Sequence, residues 1–110
     1  MDDNYIIEKG YCEFSPPAIK PDSVVRAFQK RFDDETGKKY FITVYKWDWS
    51  RFYREDMPIF SYEITTQLYK KDSHYPIDMT FFSGWNIDEV EEHLEKMWNI
   101  EDYDYYEEFN

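Results

Sequence analysis

Ten carboxylates and one lysine fall in residues 81–110, and several of the carboxylates are spaced for chemistry. Glu91 and Glu95 stand one helical turn apart, and Asp102 and Asp104 lie two residues apart. Either pair has oxygens for a divalent cation. A calcium loop needs more oxygen ligands and a turn glycine, and both pairs lack them. A glycosidase pair needs one carboxylate in an apolar pocket, and these acids sit in an exposed, charged run. His74 falls in a turn and His93 on the polar side of a helix, neither with a serine or cysteine partner. A two-histidine zinc motif needs a second histidine one turn away. Cys12 is the sole cysteine, and Gly10, Gly37 and Gly84 are too far apart for a phosphate loop. No catalytic residue, metal site or cofactor is expected, and the chain reads as a non-enzyme.

Bulk properties narrow the classes further. A chain of 110 residues fits one domain, residues 1–110. Aromatic residues are 22% of the sequence, too many for an acidic disordered segment. The net charge of -11 repels phosphate backbones and anionic membranes. No run of residues is long and apolar enough for a membrane span. The opening MDDNY has no basic stretch before an apolar run, so no signal peptide is expected. With a lone cysteine, a reducing cytoplasmic setting is the expectation. The charge is also lopsided. Residues 1–80 carry 14 acidic and 12 basic side chains, so nearly all the imbalance belongs to residues 81–110.

The elements that hold these acids follow from periodicity. Residues 38–49 alternate with period two, Tyr40, Ile42 and Val44 on one face and Phe41, Thr43, Tyr45, Trp47 and Trp49 on the other. Residues 59–70 and 77–84 read as strands as well. Residues 23–32 fit both a helix and a strand. The turn-rich DDETGKK that follows favours a strand and a hairpin. Residues 5–14 read as a short strand or an extended lead-in, and Pro16, Pro17 and Pro21 make an irregular connection. Helix 86–99 starts at Asn86, an N-cap with Glu89 three residues on, and Trp85 with Val90 suggests a hydrophobic staple. Ile87, Val90, Leu94, Met97 and Trp98 form its apolar stripe. The expected fold is α+β: an antiparallel sheet of about four strands, one C-terminal amphipathic helix packed on one face, and an acidic aromatic tail, 100–110. The second face, with Phe41, Tyr45, Trp47 and Trp49, would be open for binding or dimerisation, or be covered by the N-terminal segment or the tail.

Rows of acids on a helix and tail can imitate a phosphate backbone. The candidate partner-binding residues are Asp88, Glu91, Glu92, Glu95, Glu101, Asp102, Asp104 and Glu107, with Tyr103 and Tyr106 as aromatic anchors. Dense like charge costs stability, so its presence points to a basic partner. In size, charge and lack of catalytic groups the chain resembles the small phage-encoded inhibitors of bacterial defence nucleases, anti-CRISPR proteins included. That resemblance of class and composition implies a nucleic-acid mimic that blocks the basic groove of a nucleic-acid-binding enzyme. Two alternatives stay open: an immunity protein that neutralises a nuclease toxin, and a small ligand-binding or enzymatic domain built on the aromatic face. The partner is expected to be a basic protein surface, not nucleic acid or membrane, and a homodimer is compatible with the aromatic face.

Overall fold

The structure is a computed structural model that describes residues 1–33, 39–52, 55, 58–69, 77–81 and 84–98. Five strands form one sheet: β1 (Cys12–Phe14), β2 (Val24–Asp33), β3 (Lys39–Asp48), β4 (Phe60–Tyr69) and β5 (Ile77–Phe81). Every neighbouring pair is antiparallel and the strands lie in sequence order, so the sheet is a meander. Among the described residues two α-helices accompany the sheet, α1 (Asp3–Glu8) and α2 (Ile87–Trp98).

Long-range pairing resolves the ambiguous segment as β2. Phe28 faces Val44, Lys30 faces Ile42 and Phe32 faces Tyr40. The Phe32 and Tyr40 rings stack at 4.5 Å, which adds to their area burial. A helix over the same residues would leave this β3 edge without hydrogen-bond partners. The register slips between Val24 and Arg26, and Val25 is left exposed there.

The inner sheet face is apolar where the helices cover it. Phe28, Ile42, Val44, Ile64 and Leu68 from three strands meet Ile87, Val90, Leu94 and Met97 of α2 in one core. These four belong to the apolar stripe read from the sequence; the side chain of its fifth member, Trp98, lies outside the described residues. Asn86 caps the helix, its Oδ1 accepting from the Glu89 N–H at 3.0 Å. Val90 is fully buried in the core, whereas Trp85 remains 43% exposed and meets the Phe81 ring edge-on at 4.8 Å. Gly84, at φ +100°, turns the chain between them in a conformation that suits glycine.

The N-terminal part holds a short strand, as read, and a helix that was not expected. The short strand read within residues 5–14 is Cys12–Phe14, which pairs with β2 opposite Ala27, Phe28 and Gln29 and is the fifth strand among the described residues. Residues 3–8 are a helix and not an extended lead-in. Asp2 caps α1 by accepting from the Tyr5 N–H at 2.8 Å, and Ile6 is fully buried in the shared core. One capped turn and one buried isoleucine outweigh weak local propensity.

One core atom lacks a partner. Thr66 is almost fully buried on the inner face, and its Oγ1 makes no hydrogen bond among the described residues. Thr66→Val keeps the shape and removes the orphaned hydroxyl. Its expected effect is a gain of about 1 kcal/mol in unfolding free energy. Urea denaturation checks it through a higher midpoint at unchanged slope.

Candidate functional site

Helix α2 places Asp88, Glu91, Glu92 and Glu95 at positions i, i+3, i+4 and i+7. Helical geometry puts them within about 100° of its circumference and spreads them over about 10.5 Å. The buried stripe fixes this orientation, since rotating α2 would expose Leu94 and bury carboxylates. The four acids are not equivalent. Asp88 pairs with Lys9 at 2.7 Å and Glu92 with Lys96 at 3.4 Å, both exposed contacts of small net worth. Glu91 accepts from the Tyr11 hydroxyl at 2.8 Å, where Tyr11 is nearly buried. Glu95 forms no ion pair among the described residues and projects into water.

The row acts on the phenols beneath it. Burial, and then the Glu91 hydrogen bond, push the Tyr11 phenol well above its usual value. Burial, and then the negative potential of Glu91 and Glu95, push Tyr40 up to about 12. Both rings therefore stay neutral under α2. Glu101, Asp102, Tyr103, Asp104, Tyr106 and Glu107, expected to extend the row, lie outside the described residues, as does His74.

The aromatic face is on the far side of the sheet and is partly covered. The proline-rich connection brings Lys20 over the Tyr45 ring at 4.4 Å and onto Glu63 at 2.6 Å. Trp47 and Trp49 stack on each other at 5.1 Å, and the Trp49 indole N–H donates to Ser61 Oγ at 2.7 Å. Phe41 meets Tyr69 edge-on at 6.0 Å and carries the Arg31 guanidinium over its face. Each of the four rings thus already has a partner from this chain, and none is a bare platform. His93 lies against Phe81 and Trp85, at 5.9 and 6.2 Å.

A second polar centre was missed from the sequence. Asp3, in the first turn of α1, receives three donors from three strands: Tyr62 Oη at 2.5 Å on one oxygen, and Arg26 Nη1 at 2.5 Å and Lys46 Nζ at 2.9 Å on the other. Arg26 also grips Glu13 through Nε and Nη2, at 2.6 and 2.8 Å. Lys46 lies 4.3 Å from the centre of the Phe60 ring. Burial alone would raise the Asp3 carboxyl; the hydrogen bonds from Tyr62, Lys46 and Arg26 outweigh it and hold the group below the ordinary range. The Glu13 carboxylate in turn raises the Arg26 guanidinium. One signal pointed here: Arg26 shares its strand face with Phe28, which puts a cation on the side destined for burial.

No family model, curated protein or solved structure matches this chain. Among the described residues no helix is long and apolar enough to cross a membrane.

Two pH effects follow. Asp3 has a folded pKa below its unfolded value, so its stabilising contribution is complete above about pH 4 and vanishes as pH falls through the folded value. The stability gap between wild type and Asp3→Asn, followed by thermal melting, should therefore be constant near neutrality and close below pH 4. Tyr40 has the opposite sign. Its contribution is full below about pH 10. It is lost as pH rises toward about 12. Tyr40→Phe should flatten that alkaline loss.

Proposed function

We propose that this protein is a non-enzymatic inhibitor whose acidic helix imitates nucleic-acid phosphates and blocks the basic groove of a nucleic-acid-binding protein or nuclease. The observation that carries the reading is the single-sided row Asp88, Glu91, Glu92 and Glu95. Over its length of about 10.5 Å, one strand of duplex DNA presents about three phosphates. A rigid helix holding four carboxylates in that span offers a comparable line of negative charge. Such a row costs stability by repulsion, and only two lysines offset it among the described residues. The acidic aromatic residues 100–110 would extend the contact, with Tyr103 and Tyr106 as anchors. An intracellular setting suits both such a partner and the free thiol of Cys12. The aromatic sheet face is the weaker candidate, because Phe41, Tyr45, Trp47 and Trp49 are engaged within the chain.

The test is affinity capture from bacterial lysate, with Glu92→Lys, Glu95→Lys and Asp102→Lys combined as the control protein. Glu91 is left intact so that its bond to Tyr11 keeps α2 seated. The wild-type protein should retain a nucleic-acid-processing enzyme that moderate salt releases and duplex DNA displaces. The triple variant should melt like wild type and bind that enzyme at least tenfold more weakly. Undiminished binding by a folded triple variant would refute the mimic.

A further inference from the structure

The Asp3 centre borders a cleft of 510 Å³ whose walls include Met1, Asp2, Asp3, Arg26, Lys46, Phe60 and Tyr62. That volume lies within the range of small-ligand sites. We propose that this cleft is a carboxylate-binding site, with Asp3 as its resident competitor and an acid bearing an apolar group as its ligand. It stands apart from the partner reading of α2 and uses none of the α2 acids.

Four observations lead there. Arg26, Lys46 and Tyr62 come from three different strands and converge on one carboxylate at 2.5 to 2.9 Å. Such charge-assisted convergence is the geometry by which proteins recognise carboxylates. The cations are pre-positioned: the Lys46 side chain is only 15% exposed and lies on Phe60, and Arg26 lies 4.9 Å from the Phe28 ring. Neither cation is exhausted. Lys46 has three N–H donors and, among the described residues, gives one to Asp3, while Arg26 has five and gives three to Asp3 and Glu13. The rim is apolar, with Phe60 and Met1 each more than 40% exposed.

The occupant's chemistry follows from those walls. A ligand carboxylate takes the spare N–H groups of Arg26 and Lys46, and its apolar group covers Phe60. Asp3 and Glu13 explain how two half-buried cations persist without a ligand, since an unpaired charge there would be costly. Asp3 leaves N–H groups free on both cations, so an incoming acid would share them with it. The overall negative charge is screened beyond about 8 Å at physiological ionic strength, so the local cations govern the final approach.

The experiment is an amide NMR titration of the full chain with benzoate, with N-acetylphenylalanine and with the uncharged N-acetylphenylalanine amide. Both acids, or one of them, should give saturable shifts at residues 26, 46, 60 and 62, and the amide none. Binding of benzoate marks a free small acid as the source; binding of N-acetylphenylalanine alone marks a peptide C-terminus. Asp3→Asn should tighten binding about tenfold by removing the competitor, and Lys46→Met should weaken it about tenfold. If Asp3→Asn fails to fold, wild type against Lys46→Met still decides. Absence of saturable shifts with both acids, equal shifts with the amide, or unchanged binding in a folded Lys46→Met overturns the proposal.

Discussion

Arg26 and Lys46 lie on the sheet face that the helices cover, and a half-buried cation must be met by negative charge. Asp3 meets both at once. That requirement sets where the N-terminal segment goes. With Asp3 held by β2, β3 and β4, α1 lies across the end of the sheet and Ile6 drops into the core. From there the chain reaches α2 twice, through Lys9 to Asp88 and through Tyr11 to Glu91. The polar centre and the acidic helix are thus linked by a few residues of N-terminal chain. The pose of the α2 carboxylates depends partly on a carboxylate that is not among them.

Regular elements were readable where a repeated pattern was long. Ten residues of alternation announce β3, and five apolar residues on one stripe plus an asparagine cap announce α2. Short elements carry too little pattern. Six residues make fewer than two turns of α1, and three residues cannot show alternation in β1. The cap at Asp2 was present in the sequence, but an acidic opening segment looks like solvated chain until Ile6 is seen to be buried.

Sites divide in the same way. The α2 row is local, so spacing alone assembled Asp88, Glu91, Glu92 and Glu95 on one side. What each acid does there was not legible, because Lys9 and Tyr11 come from the opposite end of the chain. The Asp3 centre joins residues separated by 23, 43 and 59 positions. No spacing rule reaches across such separations. Only the pairing of Lys46 with Tyr62 across β3 and β4, and of Lys46 with Arg26 across β2 and β3, aligns the three donors. The aromatic face shows the reverse case: alternation located the rings correctly but said nothing of Lys20, which arrives from an irregular connection.

The sequential strand order bears on how the chain reaches this state. Each hairpin of the meander closes a modest loop, so the ladders can zip one after another at little entropic cost. The Tyr11–Glu91 bond spans 80 residues. It closes a ring around all five strands and gains nothing until the strands between are in place. Both ends should therefore dock late and together, and a lesion at either end should speed unfolding more than it slows folding.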